Sequence, residues 1–231
     1  MSKIRGLVAI IPARGASKRI PGKNYKMFND KPIIKSTIEK LKKSKIFNRI
    51  IVSTDSKKIA SISKKSGAEV PFIRPKFLSG DNVFENEVVC HSINYLIKQN
   101  YKFDYVCCVY APNPFLEIID LKKGLKKVRL KKFDYVFSAT SYRFPYFRSF
   151  TIANGGKIKM LFNKYKYVRS QDLKKIMCDT GQFYWGHKKT WFKKKFPSSN
   201  SGVVEIPKWR YHDIDTFDDW KRAEIYKKYI K

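Results

Sequence analysis

Residues 7–24 read LVAIIPARGASKRIPGKN, and the predicted fold is built outward from this stretch. Residues 7–11 are a continuous apolar run, which is typical of a parallel strand buried on both faces. The loop that follows combines two glycines with small side chains and four cations. Backbone N–H groups in such a loop can surround an anion that Arg and Lys neutralise. Phosphate binding is therefore favoured over an ordinary basic loop.

Apolar runs alternate with helical patterns through the first 140 residues. Strands are predicted at residues 7–11, 50–54, 69–73, 105–110, 135–139 and 203–206. Helices are predicted at residues 31–44, 56–66, 82–98, 119–130 and 216–229. Strands that alternate with helices of about ten residues or more indicate βαβ units. The predicted class is α/β, with a Rossmann-like, mostly parallel sheet flanked by helices and ligands at the carboxyl ends of its strands.

The pattern changes between residues 141 and 189, where aromatic residues are dense and Asn154-Gly155-Gly156 marks a tight turn. Short strand-like pieces flank this turn, as in an antiparallel hairpin. We predict a single domain over residues 1–231 that carries a small antiparallel insertion at 141–189. Insertions of this kind often form a lid or a dimer surface.

The formal net charge of +31 comes from 50 Lys and Arg against 19 Asp and Glu. Such an excess suggests nucleic acid or an anionic membrane surface. Here, however, lysines are spread thinly over predicted helix faces, and arginine, which base and phosphate recognition favour, is the minority. We interpret the charge as a solvated surface that attracts anionic substrates. A basic nucleic-acid-binding module is the alternative.

Other classes of protein are disfavoured by what the sequence lacks. No run of about 18 apolar residues occurs, so no membrane-spanning helix is predicted. The N-terminus has no apolar signal region, and we expect a cytoplasmic protein. The four cysteines show no C-x-x-C pair and no metal-ligand spacing with the three histidines. Neither a disulfide nor a zinc site is therefore expected.

Three stretches carry a resemblance to a known enzyme family: IIPARGASKRIPGKN at 10–24, FIRPKFLSGDN at 72–82 and HDIDTFDDW at 212–220. They resemble the signature blocks of the CMP-nonulosonate synthetases, which activate sialic acids, and of the related CMP-Kdo synthetases. Within that family, DYVCCVYAPNPFL at 104–116 and RSQDLKKIMCDTGQFYWG at 169–186 look most like the pseudaminic acid cytidylyltransferases. The resemblance covers nearly the whole chain.

The resemblance implies an activity as well as a fold. The anomeric hydroxyl of an acidic nine-carbon sugar would attack the α-phosphorus of CTP, with Mg²⁺ as cofactor and pyrophosphate as leaving group. The sugar implied is pseudaminic acid, and the CMP-sugar would serve cell-surface glycan or flagellin glycosylation. N-acetylneuraminic acid and legionaminic acid are the alternative substrates. A homodimer formed through the insertion is also implied.

Site residues follow from the same resemblance. Arg14 and Lys23 would hold the CTP phosphates, and Arg14 would also stabilise charge at the α-phosphorus. The implied nucleotide-binding set is Ala13, Arg14, Gly15, Lys23, Asn24, Arg74 and Asp81. The implied sugar-binding set is Tyr110, Asn113, Arg169, Gln171, Asp179 and Gln182. An arginine such as Arg169 can pair bidentately with a carboxylate.

Asp213 and Asp215 are one residue apart in a strand-like segment, so both side chains are predicted to share a face. Two carboxylates suit Mg²⁺, but a cap on the following helix explains the spacing equally well. The resemblance favours the metal. It also implies that Asp213, directly or through a bound water, accepts the proton of the sugar hydroxyl.

Two further features qualify the resemblance. Aromatic side chains in or beside the insertion could pack on acyl methyl groups, although core or interface packing is the commoner role. They are Phe144, Tyr146, Phe147, Phe183, Tyr184 and Trp185. Residues 82–87, NVFENE, replace the small Ser, Thr and Ala residues of the family, so no ligand contact is assigned to that helix start.

Overall fold

The computed structural model describes residues 5–142, 145–193 and 196–229. Its strands are β1 (Leu7–Pro12), β2 (Met27–Phe28), β3 (Lys31–Pro32), β4 (Arg49–Ser53), β5 (Tyr105–Val109), β6 (Tyr135–Ser141), β7 (Phe150–Ile152), β8 (Ile158–Met160), β9 (Met177–His187) and β10 (Ser201–Glu205). Its helices are α1 (Ile33–Ser44), α2 (Lys57–Lys65), α3 (Glu85–Lys98), α4 (Ile118–Val128), α5 (Lys188–Lys193) and α6 (Phe217–Tyr229).

One six-stranded sheet, in the order β10-β6-β9-β5-β1-β4, forms the centre of the molecule. β1 pairs in parallel with β4 and β5, and β6 pairs in parallel with β10. β9 lies antiparallel between β5 and β6. The mostly parallel sheet is therefore as predicted, and the carboxyl ends of its parallel strands share one edge, where α/β folds bind ligands.

The side chains of each strand alternate between two buried layers. In β1, Ala9 and Ile11 pack with α1, α2 and α4, whereas Val8 and Ile10 pack with α3 and α5. The adjacent cysteines of β5 also face opposite layers, and both are buried. All four cysteines are free, as the sequence predicts.

The strand predicted at 69–73 is largely absent. Only two isolated parallel bridges, Ile51–Glu69 and Thr54–Ile73, join this segment to the sheet. Pro71 lies between the bridges, and proline has no N–H to donate to a strand ladder. The other predicted strands and helices are present, each within a few residues of its predicted bounds.

The predicted insertion at 141–189 is divided in the structure. Its first part, residues 142–176, carries the two-stranded antiparallel sheet of β7 and β8. Its last part is β9, which lies inside the main sheet, and Met177 at the start of β9 pairs with Ser141 at the end of β6. The predicted boundary is therefore wrong at its end, because the aromatic density there comes from a core strand.

The aromatic side chains of this region have different roles. Phe183 and Trp185 of β9 are fully buried in the core. Tyr146 and Phe147 pack with Phe162 outside the main sheet. Phe144 lies outside the described residues. Core packing, which the sequence favours, is thus confirmed for the two β9 residues.

A separate apolar cluster joins the loop after β1 to the segment before α6. Its members are Ile20, Phe28, Ile33, Phe115, Ile214, Trp220 and Ala223. Ile20 belongs to the cationic loop, and Ile214 separates Asp213 from Asp215. The loop cations and the acid pair, which are far apart in sequence, are thus held by the same small core.

Gly124 of α4 lies against aromatic rings of β9. A Cβ added there would lie 2.7 Å from a Trp185 ring atom and 2.8 Å from a Phe183 ring atom. We expect Gly124→Ala to lower the free energy of unfolding by about 1–2 kcal/mol, because overpacking outweighs the gain in helix propensity of about 1 kcal/mol. Urea denaturation measures this change. Gly80→Ala is the control, since the nearest atom there, on Val83, is 3.8 Å away. Equal stability of the two variants would contradict tight packing at Gly124.

Candidate functional site

Three cavities meet at Tyr110, the residue that follows β5 and lines all of them. Cavity A, of about 430 Å³, lies between the loop after β1 and residues 74–88. Cavity B, of about 290 Å³, lies between the start of β9 and residues 210–214. Cavity C, of about 420 Å³, lies between the start of α3 and α5.

Four cations of the loop after β1, namely Arg14, Lys18, Arg19 and Lys23, line cavity A. Arg14 Nη1 donates to Asp81 Oδ1 at 2.7 Å, and Lys18 Nζ lies 2.6 Å from Asp81 Oδ2. Hydrogen bonds from Lys18 and Arg14 hold the pKa of the Asp81 carboxyl below its usual value. This concentration of positive charge suits a polyphosphate.

The backbone of the loop is held by acceptors outside it. Gly15 N donates to Asp55 Oδ1 at 2.7 Å. Ala13 is fully buried, and its N donates to the Ser53 carbonyl oxygen at 2.9 Å. Neither residue is among those that line cavity A, and both N–H groups already have acceptors. The backbone of Ala13 and Gly15 thus anchors the loop to Ser53 and Asp55. The side chains of the loop cations line the cavity instead.

Arg74 is the buried cation of cavity A. Its side chain is 4% exposed, and its Nε and Nη2 have no hydrogen-bond partner among the described residues. The pKa of the guanidinium is lowered, mainly by burial and also by the charge of Arg14. The carboxylate of Asp55, at 4.0 Å, opposes this shift. Asn24 lines the same cavity and donates through Nδ2 to the Arg14 carbonyl at 2.8 Å. Free N–H donors in a cavity wall suit the oxygen and nitrogen acceptors of a base and ribose.

A bulge in β9 forms one wall of cavity B. Residues 180–183 oppose the single residue Ser138 of β6, because the strand pairing shifts there. The backbone N–H groups of Gln182 and Phe183 both donate to Ser138 Oγ at 3.3 Å. Gly181 adopts a φ of +63°, which glycine tolerates without strain. Bulges beside functional sites commonly redirect side chains in this way.

Asp179 stands at the open side of this bulge. Its Oδ2 accepts from Tyr184 Oη at 3.0 Å and its Oδ1 from Gly181 N at 2.8 Å. Asp179 is exposed on the side of cavity B, but partial desolvation of its carboxyl by the surrounding protein raises its pKa. Burial also raises the pKa of Tyr110 and Tyr184, so both phenols remain protonated hydrogen-bond donors.

Asn113 and Gln182 line cavity B and also brace it. Asn113 Nδ2 donates to the Gln182 carbonyl at 2.8 Å, and Gln182 Nε2 donates to the Arg210 carbonyl at 3.1 Å. Both side chains are buried. The Oε1 of Gln182 has no hydrogen-bond partner among the described residues. These amides therefore fix β5, β9 and the segment that carries Asp213 relative to one another.

Arg169 and Gln171 lie apart from the other predicted sugar-binding residues. Both are exposed on the segment between β8 and β9, and neither lines cavity A, B or C. Arg169 Nε donates to Asp172 at 2.8 Å. Within a single chain, the structure does not bring Arg169 and Gln171 to the cavity where the prediction places them.

The segment that carries Asp213 and Asp215 has no regular secondary structure, so its prediction as strand-like is wrong. Ile214 is nevertheless buried, and the two carboxylates flank it. Asp213 lines cavity B. Asp213 is exposed, but partial desolvation raises the pKa of its carboxyl, and the neighbouring charge of Asp215 raises it further.

Asp215 is not the cap of α6. Thr216 and Asp219 form a reciprocal cap, in which Asp219 N donates to Thr216 Oγ1 at 3.2 Å and Thr216 N donates to Asp219 Oδ2 at 2.8 Å. The Asp215 carboxylate instead lies 2.6 Å from Arg19 Nη1 and 3.3 Å from Lys23 Nζ. Because Lys23 lines both cavities A and B, Asp215 lies beside their border.

A family model described as cytidylyltransferase matches residues 8–227. A pseudaminic acid cytidylyltransferase of Campylobacter jejuni is 38% identical over 219 residues, which is 94% of each chain. The chain belongs to the cytidylyltransferase family. The resemblance seen in the sequence is thereby confirmed.

Two other proteins widen the comparison of this cytidylyltransferase. A CMP-N,N'-diacetyllegionaminic acid synthase of Legionella pneumophila is 38% identical over 112 residues, which is 47% of each chain. A solved structure of a CMP:2-keto-3-deoxy-manno-octonic acid synthetase complexed with CTP has a TM-score of 0.68 at 15% identity. It covers 95% of this chain and 97% of that one, which shows a shared fold.

Asp213 and Asp215 of this cytidylyltransferase fit a hard divalent cation. Both offer oxygen ligands, and partial desolvation together with the Asp215 charge destabilises the ionised Asp213, which a cation would stabilise. Among the residues that the structure describes, no group of three His, Cys, Asp or Glu forms a complete cage. Such a partial site suits Mg²⁺, which keeps several waters and bridges one or two carboxylates to phosphates.

Several residues of the site escape prediction from the sequence. Lys18 and Arg19 are visible only as members of a cationic loop, and their acceptors depend on the fold. Asp55 directly follows Thr54 after β4, so its place at the carboxyl edge of the sheet is a usable signal. The buried ion pair of Arg210 with Asp120 joins residues 90 apart and has no local signature.

The pH dependence of stability tests the charge environment of Asp179. Because its pKa is raised in the folded protein, stability falls as the pH rises from about 4, the unfolded value, through the folded pKa. Asp179→Asn removes this loss. The Tm of the variant minus that of the wild type is therefore expected to be more positive at about pH 7 than at about pH 3, as measured by calorimetry.

Asp81→Asn is the matched comparison, and the pH dependence of its Tm difference is expected to have the opposite sign. Lys18 and Arg14 lower the pKa of Asp81, so its contribution to stability is present above about pH 4 and is lost as the pH falls through the lowered value. The Tm difference of Asp81→Asn is expected to be more negative at about pH 7 than at about pH 3. The same pH trend in both variants would refute the opposite pKa shifts assigned to Asp179 and Asp81.

Proposed function

We propose that this cytidylyltransferase couples CTP to an acidic nine-carbon sugar, pseudaminic acid, and releases CMP-sugar and pyrophosphate. The observation that carries the proposal is the shared border of cavities A and B at Lys23 and Tyr110. A triphosphate among the cations of cavity A would have its α-phosphorus near this border. A sugar in cavity B would then present its hydroxyl for attack from the other side.

The chain's own cations supply the main stabilisation for this reaction. Lys23 lines both cavities, and Arg14 lines cavity A. Cations positioned toward the reacting phosphorus stabilise the charge that develops on its oxygens. Arg74, on the same cavity, has unpaired N–H donors that would hold the base and ribose, and Asn24 also lines this cavity.

Asp213 is the proposed proton acceptor. It lines cavity B, where the sugar hydroxyl would lie, and would accept the hydroxyl proton directly or through a bound water. Asp213 and Asp215 would also hold Mg²⁺, which supplies positive charge against the phosphates and acidifies a nearby hydroxyl.

Cavities B and C together suit a sugar with both polar and apolar groups. Cavity B offers the Tyr110 and Tyr184 phenols beside Asp179, and both tyrosines also line cavity C. Cavity C is lined further by apolar side chains such as Trp191 and Phe196. Acyl methyl groups or a deoxy carbon of the sugar would pack there, while its hydroxyl and amide groups remain in cavity B.

The choice of pseudaminic acid rests on the relative from Campylobacter jejuni, whose similarity spans 94% of this chain. The legionaminic acid relative matches over 47% of it. Legionaminic acid and N-acetylneuraminic acid remain the alternative substrates. The proposed role of the product in cell-surface glycan or flagellin glycosylation follows from the same choice.

The alternative of a nucleic-acid-binding module finds little support in the fold. Helices pack on both faces of the main sheet, so the described residues present no open sheet face on which bases could stack.

Among the described helices, none has the length and apolar character needed to cross a membrane. The cytoplasmic location expected from the sequence stays a prediction.

Pyrophosphate release tests the reaction. Purified protein with CTP and Mg²⁺ is expected to release pyrophosphate with pseudaminic acid and more slowly with legionaminic and N-acetylneuraminic acids. EDTA or Asp215→Ala is expected to reduce the rate by on the order of 100-fold or more, because charge stabilisation by a metal is lost. A higher rate with another sugar would make that sugar the assigned substrate. No pyrophosphate release with any of the three sugars would refute the proposal.

We also propose a homodimer formed through residues 142–176. Apolar side chains on this segment are strongly exposed, with Ile152 at 76%, Ile158 at 60% and Tyr167 at 87%. Exposed apolar patches of this kind mark interaction sites. Cavities A, B and C do not support the predicted sugar-binding roles of Arg169 and Gln171, so these roles would require this segment of the partner.

Sedimentation velocity tests the dimer. Ile152 and Ile158 pair across β7 and β8, so Ile152→Asp with Ile158→Asp places two charges on the same patch. We expect wild type at twice the monomer mass and this variant at the monomer mass. Ile119→Asp, at an exposed isoleucine of α4, is the control and is expected to remain dimeric. A monomeric wild type, or a dimeric double variant, would contradict this interface.

A further inference from the structure

We infer that Asp215 is an internal counter-ion of the phosphate-binding loop, and that its capture by a divalent cation couples metal binding to CTP binding. This inference rests on the proposed use of CTP and a divalent cation. It adds a role for Asp215 before any reaction occurs, and it assigns Arg19 to the phosphate site.

Both oxygens of the Asp215 carboxylate are occupied by loop cations. Oδ2 lies 2.6 Å from Arg19 Nη1, and Oδ1 lies 3.3 Å from Lys23 Nζ. The Lys23 side chain is 19% exposed and that of Asp215 31% exposed, so solvent screens this pair only in part. Arg19 and Lys23 both line cavity A.

A triphosphate must therefore compete with Asp215 for these two cations. Hydrogen-bond donors that point at Asp215 are not available to phosphate oxygens in the same geometry. In addition, the negative charge of Asp215 repels an approaching polyphosphate. In the absence of a metal, Asp215 thus opposes nucleotide binding at the cations that the nucleotide needs.

The position of Asp215 beside Asp213 gives this opposition a means of release. Asp213 and Asp215 flank the buried Ile214, and Asp213 lines cavity B together with Lys23, the cation that pairs with Asp215. A divalent cation held by both would draw the oxygen lone pairs of Asp215 away from Arg19 and Lys23. The two cations would then be free to bind phosphate. By linkage, CTP must strengthen metal binding by the same factor.

Asp81 provides a built-in comparison. It also pairs with two loop cations, Arg14 at 2.7 Å and Lys18 at 2.6 Å. Its carboxylate belongs to cavity A and has no role in the proposed metal site. Asp81 therefore opposes phosphate binding in the same manner as Asp215, but a divalent cation at Asp213 and Asp215 does not release it.

Calorimetric titration of CTP, without sugar, tests the inference in EDTA and in Mg²⁺. In EDTA, Asp215→Asn and Asp81→Asn are each expected to bind CTP about 3- to 10-fold more tightly than wild type, the scale of a partly exposed ion pair. Asp218→Asn, which makes the same charge change three residues further along, is expected to stay within about 2-fold of wild type.

The decisive quantity is the factor by which Mg²⁺ tightens CTP binding. We expect about 10-fold or more in wild type and Asp81→Asn, but less than about 3-fold in Asp215→Asn, because one metal ligand and its coupling are lost. CTP itself binds Mg²⁺, and this contribution to the Mg²⁺ factor is also present in Asp81→Asn, which therefore serves as its control. Melting curves confirm folding, and Asp215→Ser repeats the comparison if Asp215→Asn is unfolded.

Two results would overturn the inference alone. One is an equal Mg²⁺ factor in Asp215→Asn and Asp81→Asn, and the other is weaker CTP binding by Asp215→Asn than by wild type in EDTA. In either case a wild type that binds CTP and releases pyrophosphate leaves the proposed function standing. Failure of the folded wild type to bind CTP under both conditions would remove the proposed function and the inference together.

Discussion

The burial of Ile20 and Ile214 in one apolar cluster is the constraint on which the site depends. Each buried isoleucine contributes about 1.5–3 kcal/mol, whereas an exposed ion pair contributes about 0–1 kcal/mol. The apolar residues therefore set the position of their neighbours, Arg19 and Asp215, which meet across 196 residues of sequence. The apolar cluster brings Arg19 and Asp215 close together, and the ion pair adds only a small further stabilisation.

The chemistry of the site follows from how the sheet edge is extended. Parallel strands deliver the cationic loop, Asp55 and Tyr110 to one edge, but they supply no wall for a second substrate. The antiparallel strand β9 supplies that wall, because its bulge opposite Ser138 turns Asp179 and Gly181 toward cavity B. Cavities A and B, which are proposed to hold the two substrates, thus adjoin at Lys23.

Much of this arrangement can be predicted from the sequence, for identifiable reasons. The apolar run of β1 and the loop after it carry local signals, namely continuous burial and clustered charge. The acid pair is also local: Asp213 and Asp215 flank an apolar residue, Ile214, which is buried, although the segment is not a strand.

Features set by distant contacts could not be predicted in the same way. β9 resembles part of the insertion in composition, and only its pairing with β5 and β6 shows that it is a core strand. The resemblance places Arg169 with the sugar, but a sequence motif does not show where its segment lies in the fold. At Pro71 a local signal was available, because a proline between two short apolar pieces argues against a continuous strand.

The excursion at residues 142–176 leaves the sheet at Ser141 and returns at Met177, and these two residues pair directly. Its ends are thus held together by the sheet, whatever lies between them. Each doubling in the length of a flexible loop costs only about 0.6 kcal/mol in closure entropy. Descendants of one ancestral gene can therefore lengthen, shorten or replace this segment with little penalty to the core. Selection can act on the excursion as an exchangeable module while the catalytic framework stays unchanged.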